Sequence, residues 1–180
     1  MSEENTVSNV TQRTKEELRK DGVTLLGSGH TEYANKYDPS ILQTFENKHP
    51  DNDYLVSLDG YEATALCPVT GQPDFAKFVI NYIPNKRLVE SKSLKLYFFS
   101  FRETGTYHED FCNTVMKDLR NVMQPKYIEV VPCFAARGGW AIKPMAQWVN
   151  PEFPEYNEVA KARLIDQMNE AAKRTLKYDM

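Results

Sequence analysis

Cysteine is scarce: three residues in 180, at positions 67, 112 and 133, none in a CxxC pair. An odd, sparse set argues against a disulfide scaffold and fits free thiols in a reducing compartment. Histidine is as scarce, with three residues scattered at 30, 49 and 108. That gives a structural zinc site little support, and no metal is expected. No apolar run approaches the roughly 18 residues that cross a membrane. The start, Met1 to Gln12, is polar and lacks the apolar stretch of a secretion signal, so the chain is expected in the cytoplasm. Cationic excess is missing too: 22 Lys and Arg stand against 25 Asp and Glu, for a net charge of −3. A broadly basic nucleic-acid-binding surface is therefore not expected. No GxGxxG follows a predicted strand, so any dinucleotide has to bind without a Rossmann motif.

What remains is an ordinary globular composition, 41% apolar and 26% charged, with material for one domain and its core. Residues 1–20 read as a polar segment in which Thr14-Lys15-Glu16-Glu17 opens a short helix as a capping box. Residues 21–150 read as the single domain. Tyr54 to Leu58 and Tyr61 to Leu66 are extended runs separated by an Asp59-Gly60 turn. Phe75 to Ile83 is close to uniformly apolar, as a well-buried strand would be. Leu94, Tyr97, Phe98 and Phe101, then Phe111, Val115, Leu119 and Val122, follow helical spacing and predict two consecutive amphipathic helices joined near Gly105. Tyr127 to Phe134 and Trp140 to Ile142 read as strands around the turn Arg137-Gly138-Gly139. Residues 151–180 carry Val159, Ala162, Ile165, Met168 and Ala172 at helical spacing, predicting a C-terminal amphipathic helix. Strand, strand, two helices, strand, strand is not a doubly wound order. It predicts an α+β fold, an antiparallel sheet with helices on one face.

The chemistry concentrates between Leu66 and Phe75. If these strands form a hairpin, Cys67 and Asp74 face each other across its mouth, with Pro68 and Pro73 stiffening the loop. A thiolate attacking a carbon–nitrogen multiple bond leaves charge on nitrogen, and a facing carboxylic acid can supply the proton. Taken alone, the loop reads more readily as a buried structural cysteine beside a turn aspartate.

The rest of the chain shifts that balance. Glu90-Ser91-Lys92-Ser93-Leu94-Lys95-Leu96-Tyr97 resembles the signature of the NADPH-dependent nitrile reductases of queuosine biosynthesis, the 7-cyano-7-deazaguanine reductases. The resemblance extends in order to Leu66 through Phe75, to Phe101-Arg102, to His108-Glu109-Asp110 and to Arg137-Gly138-Gly139. It implies a tunnelling fold of the GTP cyclohydrolase type. Subunits join their sheets into a barrel, sites form between subunits, and the assembly is a large homo-oligomer such as a decamer. It implies reduction of a deazaguanine nitrile to a primary amine by two NADPH per turnover, with Cys67 forming a covalent thioimide and Asp74 protonating the nitrogen. His108 would bind substrate or assist proton transfer. Glu109, and next Glu90, would accept the adjacent N–H donors of the base, which Val89, Glu90 and Ser91 would line. Ser91, Lys92, Lys95, Arg137 and Gly138 would hold the cofactor and offset its phosphates. Neither membrane nor nucleic acid is expected as a partner. Other readings are a cyclohydrolase or amidinotransferase relative, and a non-catalytic purine- or pterin-binding oligomer. The cyclohydrolase would want a Cys/His metal cluster not found here, the amidinotransferase could share the Cys67 chemistry but the Glu90–Tyr97 signature favours a hydride-using enzyme, and the last has no use for Cys67 opposite Asp74. Whether Cys67 pairs with Cys112 stays open.

Overall fold

The computed structural model describes residues 33–175. The expected segment 1–20 and its capping box lie outside them. Two long strands, β2 (Val56–Leu66) and β3 (Pro73–Ile83), make a hairpin extended by β5 (Tyr127–Phe134) and β6 (Ala146–Val149), all antiparallel, in the order β2-β3-β5-β6. A small second sheet pairs β1 (Thr44–Glu46) with β4 (Arg87–Val89). Helices α1 (Ser91–Ser100) and α2 (His108–Met123) follow each other between β4 and β5, and α3 (Asn157–Thr175) closes the chain. The α+β reading of the sequence holds.

Strand β3 alternates strictly. Asp74, Ala76, Phe78, Ile80 and Tyr82 are buried, while Phe75, Lys77, Val79, Asn81 and Ile83 are more open. A period of two places the buried set on one face. That face meets α1 and α2: the Phe78 ring lies 4.9 Å from both Phe98 and Phe111, and Phe101 stacks on Phe111 at 4.3 Å. Each buried aromatic or aliphatic side chain here contributes about 1.5–3 kcal/mol by leaving water. The strand is thus buried on one face and more open on the other, where its apolar run predicted a well-buried strand.

Two other expectations fail locally. Asp59-Gly60 is no turn, because β2 runs straight through it and absorbs one irregularity between Gly60 and Ala63 as a bulge. A turn dipeptide inside a strand marks such a site when the neighbouring strand keeps pairing. Trp140 to Ile142 is no strand of the sheet. Trp140 forms a single bridge with Arg137, and the sheet's last strand is Ala146–Val149.

Helix α3 lies on the other face of the sheet. Its Arg163 reaches Glu129 on β5 through Nε, 3.2 and 3.0 Å from the two carboxylate oxygens, and Nη2, 2.8 Å from one of them. Asn81 and the Tyr127 hydroxyl donate to the same carboxylate at 2.8 and 2.7 Å. Glu129 is 1% exposed. Burial pushes its carboxyl up, but the donors led by Arg163 outweigh burial and hold it below the usual carboxylate range. Val159, Leu164, Ile165 and Met168 of α3 are exposed.

Candidate active site

The site begins where β2 ends. Leu66 pairs with Pro73, and the chain between them closes on itself: the Cys67 amide donates to the Gln72 carbonyl at 2.8 Å and the Gly71 amide to the Cys67 carbonyl at 2.9 Å. The second bond spans four residues, as in one turn of α-helix. Cys67 stands at the capping position of that turn and Pro68 at its first residue, where no N–H is needed. Gly71, at φ 68°, ends it in the left-handed region. A cap side chain receives the amides two and three residues on. Here they are Val69 and Thr70, and the acceptor is a sulfur. The Thr70 hydroxyl, the Thr70 and Val69 amides and, less strongly, Arg137 draw the thiol down to about 6, against a small opposing effect of burial. Cys67 is therefore mostly thiolate at neutral pH. Cys112 is the contrast: fully buried on α2 with its thiol 3.4 Å from the Val130 carbonyl, it is pushed up to about 12 by burial.

Asp74 does not oppose Cys67 as expected; its partner across the hairpin is Ala65. Residues two apart on a strand share a face, so Cys67 and Asp74 are diagonal neighbours on one side. Asp74 is 4% exposed. Its Oδ1 lies 2.9 Å from Arg137 Nε and 3.2 Å from His108 Nε2. The second contact lacks hydrogen-bond alignment. Asp74 Oδ2 and both His108 ring nitrogens are buried without a hydrogen-bond partner. Buried polar atoms in proteins nearly always find partners, so these three are open to one from outside the chain.

The turn between α1 and α2 sets these groups. Thr104 and Thr106 bracket Leu66 through backbone bonds of 3.0 and 2.9 Å. Gly105 between them lies so close that a Cβ there would sit 3.2 Å from Pro68 Cα. His108 then opens α2, its ring stacked on Phe134 at 3.9 Å. Cys67, Asp74, His108, Glu109 and Arg137 line one cleft of about 110 Å³, with Tyr107 and Ile142 at its walls.

The other expected residues do not line this cleft. Val89 is buried in β4. Glu90 caps α1, accepting from the Lys92 and Ser93 amides at 2.8 and 2.6 Å. Burial raises its carboxyl, and those amides bring it below the usual range. Ser91, Lys92 and Lys95 occupy the first turns of α1. Gly138 and Gly139, at φ 56° and 84°, form a two-residue turn locked by two 3.0 Å bonds between Arg137 and Trp140. Thr70, and the contact of Arg137 with Asp74, are functional features that the sequence reading missed. The signal for Thr70 was present: Cys-Pro-x-Thr-Gly is a cap, a first-turn proline and a terminating glycine.

Fold and cleft together describe an α+β protein with a low-pKa cysteine in a cleft beside a buried carboxylate. The profile of the family described as QueF-like protein matches residues 73–152. The NADPH-dependent 7-cyano-7-deazaguanine reductase of Neisseria gonorrhoeae (strain NCCP11945) is 53% identical over 154 residues, covering 86% of this chain and 96% of that one. Proteins of the same name from Alkaliphilus metalliredigens (59% over 132 residues, 73% and 78% of the two chains) and Bacteroides fragilis (52% over 147 residues, 82% and 96%) are similar. Among solved structures, the archaeosine synthase QueF-Like in the apo form aligns with a TM-score of 0.49 at 20% identity, over 52% of this chain and 91% of that one. The chain belongs to the NADPH-dependent 7-cyano-7-deazaguanine reductase family.

Proposed function

We propose that this chain reduces the nitrile of 7-cyano-7-deazaguanine to the primary amine 7-aminomethyl-7-deazaguanine, in queuosine biosynthesis. The observation that carries the proposal is one cleft holding an activated thiolate at Cys67 beside the orphaned, buried Oδ2 of Asp74. The relatives named above supply the substrate and the reductant.

Cys67 sulfur adds to the nitrile carbon and Asp74 passes a proton to the nitrogen. Thiolate, nitrile and that one proton, drawn from solvent through Asp74, give a neutral thioimide, and nothing is expelled. NADPH, when bound, supplies a hydride at each of two stages. After the first, the carbon–sulfur bond breaks, Cys67 leaves as thiolate and an imine remains. The second gives the amine. Two NADPH and two protons are consumed for each nitrile. Holding the imine in the cleft limits its hydrolysis. Glu109, at the exposed end of the cleft, accepts the base's N–H donors, and His108 presents its unpartnered nitrogens to the substrate. The cofactor fits residues of the right chemistry. Arg137 has 31% of its side chain exposed, Gly138 has no atom within 4 Å of a built Cβ, and Lys92 and Lys95 lie near the N-terminus of α1. They would bind its phosphates.

One protomer falls short of a whole site. Ligand pockets run to about 300–1,000 Å³, against about 110 Å³ here, and residues 89–95 do not line it. We therefore take the site to be shared between subunits whose sheets join into a tunnelling-fold barrel, in a large homo-oligomer such as a decamer. Among the described residues no helix is long and apolar enough to cross a membrane. The free cysteines suit a reducing cytoplasm. The test is NADPH oxidation with 7-cyano-7-deazaguanine. Two NADPH oxidised per amine formed is the expected result; no oxidation sinks the proposal.

A further inference from the structure

Resting on that reduction, we propose that Arg137 is a positioning residue for the proton transfer: it pairs with one oxygen of Asp74, Oδ1, so that the other, Oδ2, carries the proton to the nitrile nitrogen. The route of the chain delivers the guanidinium there. Phe134 on β5 pairs with Ala76, and the Ala135 amide extends the ladder by one step, donating to the Phe75 carbonyl at 2.9 Å. The chain is thereby fastened to the residue next to Asp74, and Arg137 follows two residues on. The two 3.0 Å bonds between Arg137 and Trp140 close the turn that holds its backbone. Its side chain crosses to Asp74 with Nε 2.9 Å from Oδ1, and it lines the same cleft as Cys67.

That contact makes the two carboxylate oxygens unequal. Oδ1 faces Arg137 at 2.9 Å and His108 Nε2 at 3.2 Å, whereas Oδ2 is buried without a hydrogen-bond partner. A guanidinium carries donors only and keeps its charge. A proton on Oδ1 would face that donor, so the proton belongs on Oδ2. In the step itself the sulfur–carbon bond forms, the Oδ2–H bond breaks and an N–H bond forms. Asp74, 4% exposed, is left as a carboxylate whose charge Arg137 meets, and solvent later returns its proton. Stripped of that cation, a buried carboxylate is a costly place to leave a charge. The resemblance gives Arg137 to the cofactor's phosphates. Addition of sulfur to the nitrile uses no cofactor, so its rate reads the contact with Asp74 by itself.

Two reactions of Cys67 separate the acid from the nucleophile. Adduct formation with 7-cyano-7-deazaguanine, followed by intact mass without NADPH, needs both Cys67 and Asp74. Alkylation of Cys67 by iodoacetamide, followed by peptide mass, needs the thiolate alone. Arg137 is the weakest of the groups that draw the Cys67 thiol down. At about pH 8, Arg137→Gln should therefore slow the adduct at least about thirtyfold and alkylation no more than about twofold. Arg137→Lys, which keeps the cation, should recover to within about fivefold of the unsubstituted rate. In an Asp74→Asn background no buried charge awaits a partner, and Arg137→Gln should slow the residual addition no further. That comparison holds even where Arg137→Gln alone fails to fold. Equal slowing of adduct and alkylation overturns the proposal, because it places the effect of Arg137 on the sulfur. A lysine variant as slow as the glutamine one overturns it, and so does further slowing in the Asp74→Asn background. An unslowed adduct in Arg137→Gln, with the unsubstituted protein reacting normally, sinks this inference alone. No adduct and no turnover in the unsubstituted protein sink the reduction and this inference with it.

Discussion

Cys67 owes its lowered pKa to three short-range donors rather than to a neighbouring histidine. The turn that it caps aims the Val69 and Thr70 amides at the sulfur and adds the Thr70 hydroxyl, so the thiolate is present before any substrate arrives. Adduct formation with the nitrile should therefore rise with pH through about 6 and level off above it. Thr70→Ala removes the strongest donor and should move that midpoint upward. The adduct should form roughly five- to tenfold more slowly at pH 6 and almost unchanged at pH 9, measured by intact mass over time. An unmoved profile would show that the amides suffice. Cys67, Asp74, His108, Glu109 and Arg137 were legible because each sits in a long motif, and the structure brings them into one cleft. Thr70 was not, because a single turn is too short to show periodicity and capping logic looks for oxygen side chains, not sulfur. The contact of Arg137 with Asp74 was hidden for a different reason. It joins the start of β3 to a loop 63 residues further along the chain, and nothing local encodes that proximity.

Among the elements, the two central helices and the long hairpin were readable from their periods, since packing against Phe78 requires the spacing that the sequence shows. The bulge in β2 was not, because Asp59-Gly60 carries the same chemistry in a turn and in a strand irregularity, and only pairing with β3 decides between them. Helix α3 was predicted by spacing, yet its apolar residues are largely exposed and a polar contact anchors it. Arg163→Met leaves Glu129 buried with its charge poorly matched. It should cost about 2–4 kcal/mol in chemical denaturation, below the full cost of an orphaned interior charge because Arg163 is partly wetted. The folded carboxyl of Glu129 is depressed, so its contribution is present above the unfolded value near about 4.3 and fades as pH falls through the folded value. The destabilisation by Arg163→Met should shrink accordingly in acid. Between α1 and α2, Gly105→Ala presses on Pro68 and shifts the Cys67 turn. A displacement of that kind costs up to about 10²-fold in rate, and we expect kcat/KM to fall at least tenfold while the melting temperature drops by only a few degrees.

For the whole molecule, the sequence resemblance and the structure divide the work. The residues of one protomer bring the thiol, the carboxylate and Glu109 to one cleft, which residues 89–95 do not line. The open face of β3, with Phe75 58% exposed, and the exposed apolar residues of α3 leave apolar surface that a shared barrel would cover. Sedimentation should show a large homo-oligomer, and dilution that splits it should abolish turnover faster than it unfolds the chain; full activity in an isolated protomer would contradict a shared site. No part of this assembly is legible from hydrophobic period, because the same alternation serves a free sheet and a barrel wall. The central claim is that Cys67 bonds covalently to the nitrile, and it has a direct test. Intact mass of the protein with 7-cyano-7-deazaguanine and no NADPH should rise by one whole substrate molecule per chain, with no rise in Cys67→Ala. A protein whose mass stays unchanged while it turns over with NADPH would contradict the account.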